Sequence, residues 1–162
     1  MLLLAVGRTS NSYKVVEILH IFAVIVGFGS LYAGSVYAAL GRKRGGRDQT
    51  AISEASEFVL SRVSLAAIIL VPILGMALVG MSDKQIKFSQ AWISTSFALY
   101  VVILVILLGA VRPAHRHLNQ LLAADSPDVG SITAIERRLA AASGVNHLLV
   151  AAVLCLMVLG PK

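Results

Sequence analysis

Four long apolar runs constrain this chain more than anything else in it. They extend from about Val15 to Leu40, Val59 to Met81, Ala91 to Val111 and Ala140 to Leu159. A hydrocarbon core of about 30 Å is crossed by about 20 helical residues rising 1.5 Å each, and every run reaches that length. No water reaches the backbone there, so only helices or closed barrels span it. Barrel strands are about half as long and alternate with period two. These runs do neither, so the expected fold class is all-α: a four-transmembrane-helix bundle forming one integral membrane domain over residues 1–162. The expected helices are about 15–40, 53–81, 91–111 and 133–159. The second and fourth begin before their apolar runs. Ser53 opens a polar lead-in to one, and Thr133 with Glu136 fits a capping box for the other. Both helices then project beyond the membrane.

Composition agrees. The chain is 57% hydrophobic and 14% charged, against about half and about a quarter in soluble domains. The net charge of +6 does not indicate nucleic acid, because the cations lie in short connectors between apolar runs. Nine of them (Arg42, Lys43, Arg44, Arg47, Arg62, Arg112, Arg116, Arg137 and Arg138) fall on the side of the first and third connectors. Five (Arg8, Lys14, Lys84, Lys87 and Lys162) fall on the other. That asymmetry places the odd connectors in the cytoplasm and both termini outside. Tyr13 and Trp92 suit the outer interface, whereas Tyr100 does not fit that scheme. The opening MLLLAV has no basic lead and ends at Arg8, so it reads as a frayed or interfacial N-terminus rather than a signal peptide. The single cysteine, Cys155, has no intrachain partner and reports no redox compartment.

On the first helix, Tyr13, Glu17, His20, Val24, Gly27, Leu31 and Gly34 share one face at alternating spacings of four and three. Gly29 and Gly34 belong to small-xxx-small pairs that permit close helix approach, and Gly27 joins the same packing set. The second helix aligns Glu57, Ser61, Ser64, Ile68, Val71 and Gly75, and Pro72 bends it. The fourth aligns Ser143, His147, Val150 and Leu154. Glu17 and His20 form a polar intramembrane pair. A charge at the bilayer centre costs about 2.5–3.5 kcal/mol, so both are expected to face the bundle or a partner rather than lipid.

No nucleophile–base pair or carboxylate pair points to hydrolysis. His115 and His117 read as part of a solvated basic helix end, without the further ligands that zinc needs. His20 and His147 lie at different depths, about 10–15 Å apart along the membrane normal, too far for one iron to join. The cations Arg42, Lys43, Arg44 and Arg47 suit anionic headgroups or a partner protein.

The segments LHIFAVIVGFGSLYAG, SEASEFVLSRVSLAAIILVPILG and GAVRPAHRHLN, with a basic connector between the first two, carry a resemblance. The chain resembles a bacterial family of small four-helix predicted integral membrane proteins of unknown function. That family looks distantly similar to the copper-resistance protein D and membrane protoporphyrinogen oxidase groups. Such a likeness implies a cofactor-binding histidine early in the first helix, and only His20 matches it. The tryptophan, arginine and second histidine of the oxidase group are missing after it.

These features suggest a multi-pass protein of the bacterial inner membrane, acting as a non-enzymatic accessory or scaffold subunit of a respiratory or lipid-transport complex. Its expected partners are membrane lipids and other integral membrane subunits, not nucleic acid, with no metal and no cofactor. The alternatives are a haem- or copper-linked redox protein using His20, and a small proton-coupled transporter using Glu17, His20 and the Pro72 bend.

Overall fold

The computed structural model describes residue 8 and residues 10–83, 86–124, 126 and 128–160. The opening MLLLAV, Lys84 and Lys162 lie outside the described residues. Four helices carry the chain: α1 (Asn11–Arg44), α2 (Gly46–Met81), α3 (Ala91–Leu122) and α4 (Val129–Leu159). All four are long and apolar enough to cross a membrane, and the described residues form no strand. The α2–α3 connection shares one end of the bundle, the terminal end, with the start of α1 and the finish of α4. The other two connections share the opposite, basic end.

Helix boundaries differ from the expected ones: α1 begins at Asn11 and α2 at Gly46, ahead of 15 and 53, and three others shift for local reasons. The basic stretch Gly41–Arg44 is the last turn of α1, not a loop. The break is confined to Gly45 and Gly46, whose φ values of 67° and 52° favour glycine. The third helix does not stop at Val111 but runs to Leu122. Pro113 has no N–H to offer the Gly109 carbonyl, and its ring crowds that turn. A π-helical turn over Leu107–Val111 precedes it, with the Arg112 N–H donating to the Leu107 carbonyl, and the helix continues through the proline. At α4 the cap is Asp128 rather than Thr133. The Asp128 carboxylate accepts the Gly130 N–H at 2.9 Å and the Ser131 hydroxyl at 2.6 Å. Thr133 lies inside the helix and donates to the Val129 carbonyl at 2.8 Å.

Those two hydrogen bonds, that of Ser131 foremost, hold the Asp128 carboxyl below its ordinary range. A depressed carboxylate stabilises the fold fully above its unfolded value, near pH 4, and the contribution disappears as pH falls through the lower folded value. Protection of the Gly130, Ser131 and Ile132 amides, taken relative to their intrinsic exchange rates, should therefore fall in acid. Asp128→Ala should show that lower protection already at neutral pH, with the rest of α4 unchanged.

The buried core lies at mid-height and draws on all four helices. Ala23 and Phe28 come from α1, Ile68 and Val71 from α2, Tyr100, Ile103 and Leu107 from α3, and Val150 from α4. Phe28 and Tyr100 meet edge to face, with ring centroids 6.3 Å apart. Above this layer α1 packs on α2 and α3 on α4, so the terminal half consists of two hairpins. Below it, the projecting ends of α2, α3 and α4 form a second small bundle. Ser53 donates to Asn119 Oδ1 at 2.5 Å, Gln49 donates to Glu136 Oε1 at 2.9 Å, and Glu57 meets Arg116 at 3.5 Å.

Pro72 removes the donor that the Ile68 carbonyl would find one turn later. The Tyr100 hydroxyl, reaching across from α3, donates to that carbonyl. This explains why a tyrosine lies far from the interfacial belt. A second π-helical turn, over Val59–Ser64, rotates the lower part of α2. Ser64 stays buried and shares a 2.6 Å hydrogen bond with Ser30 of α1. From the turn downward, Leu60, Ser56 and Ser53 face inward in place of the expected Ser61 and Glu57.

Candidate functional site

The core layer separates two cavities. Toward the terminal end, the hairpins part to leave a cleft of about 480 Å³. Its walls are mainly apolar: Val24 and Phe28 of α1, Val71, Pro72 and Leu78 of α2, Trp92 and Phe97 of α3, Val153 and Met157 of α4. The stripe expected on α1 supplies three of its polar groups, Tyr13, Glu17 and His20; Arg8 and, from α3, Ser96 and Tyr100 supply others. Glu17 and His20 share this wall, and among the described residues they form no ion pair with each other. His20 packs on Gly75, where a Cβ would stand 3.4 Å from its ring. Its ring faces the backbone of Val71, yet Nδ1 is buried without a hydrogen-bond partner.

The packing glycines behave differently from one another. Gly27 is a true point of close approach, because a Cβ there would stand 2.9 Å from Ile68 Cγ1 and 3.2 Å from Ile68 N. Gly29 and Gly34 have open space where a Cβ would be, so neither brings two helices together. Gly29 faces outward, and Gly34 borders the second cavity.

That second cavity, about 300 Å³, lies toward the basic end and is markedly more polar. Ser30, Ser35, Ser53, Ser56, Ser143, Asn146, His115 and His147 line it, with Arg42, Gln49 and Glu136 at its lower end. His115, expected in solvent, is buried, because α3 continues as a helix and turns that residue inward; His117 is exposed. His147 stacks on Tyr32 with ring centroids 4.1 Å apart, and Tyr32 donates to the His147 carbonyl at 2.9 Å. His20 and His147 thus line different cavities. Of the cations Arg42, Lys43, Arg44 and Arg47, all exposed, Arg42 borders this cavity and Arg44 pairs with Asp48 at 3.8 Å.

Asn146 is the residue that sequence reasoning passed over. It is only 2% exposed, and neither its Nδ2 nor its Oδ1 has a partner. A signal existed: it is the single carboxamide in any of the four apolar runs. Among the described residues, no group of three His, Cys, Asp or Glu side chains is placed to hold a metal ion.

A family model for a predicted integral membrane protein, DUF2269, matches residues 14–161, nearly the whole chain. The chain belongs to the DUF2269 family. The match takes in nearly all of the four spans and both cavities of this DUF2269 member, leaving out Arg8 and Tyr13 of the cleft. No curated protein and no solved structure matches it.

Proposed function

We propose that this DUF2269 member is a non-enzymatic accessory subunit of a larger assembly in the bacterial inner membrane, of the respiratory or lipid-transport kind. The cleft at the terminal end carries this reading. It is a mainly apolar recess between two hairpins, deep enough for side chains of a neighbouring subunit's transmembrane helix. Glu17 and His20 give that neighbour a polar contact away from lipid. The basic end faces the cytoplasm in this reading, following the distribution of arginine and lysine.

Purification in mild detergent tests it. A stoichiometric membrane partner should co-purify, and Val24→Trp, which fills the cleft, should release it while the protein stays folded. A protein that purifies alone, or a partner indifferent to Val24→Trp, overturns the reading.

The buried, unpartnered Nδ1 of His20 favours a second reading, in which that imidazole holds a haem or copper in the same cleft. One axial histidine is all the cleft offers, since His147 lies in the other cavity. The same preparation decides between them: a Soret band abolished by His20→Ala would replace the subunit reading with this one.

A further inference from the structure

The polar cavity at the basic end is separate from the cleft and calls for its own occupant. Asn146 is 2% exposed and His115 9%. Both line the cavity, and Asn146 Nδ2, Asn146 Oδ1 and His115 Nδ1 all lack a hydrogen-bond partner. Burying such groups unpaired costs about 1–3 kcal/mol each, so three of them around one space indicate that something polar fills it.

The shape of the opening narrows the choice. The cavity lies between α1 and α4, where Gly34 and Ser35 of one helix and Ser143 and Gly144 of the other line it. At Gly34 and Gly144 nothing stands within 4 Å of where a Cβ would be. The Tyr32–His147 stack bounds this gap on the core side, and the Gln49–Glu136 hydrogen bond bounds it on the basic side. The gap therefore opens on the side of the bundle, at Gly34 and Gly144, which both lie within apolar runs.

Charge narrows it further. The ionised side chains lining the cavity are one cation, Arg42, and one anion, Glu136. An anionic ligand would meet Glu136 unfavourably, and a cationic one would meet Arg42. Arg42 and Glu136 also act on each other, so together they are neutral, and a zwitterion lying between them meets each with its opposite charge.

We propose that this cavity holds the headgroup region of a zwitterionic phospholipid with a primary ammonium group, its acyl chains leaving through the gap between Gly34 and Gly144. The phosphate meets Arg42 and the ammonium meets Glu136. The Asn146 Nδ2 donates deeper in the cavity, to an ester carbonyl. Along α4 the order Glu136, Gly144, Asn146 covers ten residues, about 15 Å, so headgroup and ester region have distinct places.

Native mass spectrometry of the full-length protein in mild detergent tests the proposal, with phosphatidylethanolamine or phosphatidylglycerol added at equal mole fraction. Phosphatidylethanolamine should give the dominant adduct. Asn146→Leu should weaken it about five- to tenfold, the loss expected for one buried hydrogen bond. Gly144→Leu closes the gap at a position with open space around it. It should abolish the adduct while leaving the melting temperature unchanged, which separates loss of the site from loss of the fold. Equal adducts with both lipids, or adducts indifferent to Gly144→Leu, overturn the proposal. So does O-phosphoethanolamine alone protecting against thermal unfolding as well as the whole lipid does, because the ligand is then a free solute.

Discussion

Gly27→Leu should destabilise the protein by about 1–3 kcal/mol, the usual range for forcing extra methylenes into a packed contact. Any side chain at this position begins with a Cβ 2.9 Å from Ile68 Cγ1 and 3.2 Å from the Ile68 backbone nitrogen. A flexible side chain can give way, whereas a backbone nitrogen moves only if α2 moves with it. Ile68 is fully buried, so α1 and α2 must separate at the level of the core layer. Gly29→Leu is the matched control: two residues along, with open space around it, it should be close to neutral. Unfolding in mixed micelles measures both. Equal effects from the two substitutions would mean that Gly27 is not the contact on which the first hairpin closes.

Tyr100→Phe should cost about 1–2 kcal/mol although it removes one oxygen atom and keeps the ring. Its hydroxyl is the donor that reaches the Ile68 carbonyl, which lost its helical partner to Pro72. The edge-to-face contact with Phe28 survives the substitution, so the loss reports the hydrogen bond. Pro72→Ala restores an N–H one turn further along α2 from that carbonyl. In its background Tyr100→Phe should lose at least half of its effect, and a double-mutant cycle reads the coupling directly. Strict additivity would show that the tyrosine does not compensate for the proline.

The apolar runs were sufficient to place four crossings, because their length is set by the bilayer and not by any partner. The stripe through Tyr13, Glu17, His20 and Val24 was legible for a similar reason: ionisable groups avoid lipid, and helical periodicity then fixes which residues accompany them. What escaped the sequence lies at helix ends and in register shifts. Charges and a proline usually end a helix, so RPAHRHLNQLL looked like a connector; the π-helical turn that lets α3 pass Pro113 leaves no mark in the periodicity. Only with α3 continued to Leu122 does His115 turn inward and line the polar cavity. The π-helical turn in α2 likewise moved the inward face from Ser61 and Glu57 to Leu60, Ser56 and Ser53. Asn146 was visible but adjacent to a histidine. Helical spacing alone does not say which of two neighbours faces inward until the facing helices are in place.

Three side-chain links tie the lower ends of α2, α3 and α4 to one another, at Ser53–Asn119, Gln49–Glu136 and Glu57–Arg116. Above the core layer the two hairpins face each other across empty space. Resistance to separation is thus graded along the long axis of the molecule, high at one end and low at the other. The two hairpins are joined at the polar base and again at the core layer, where Tyr100 of α3 meets Ile68 and Phe28 of the other hairpin. A guest between the tips therefore meets the core layer first, and the serine, asparagine and glutamine links lie beyond it.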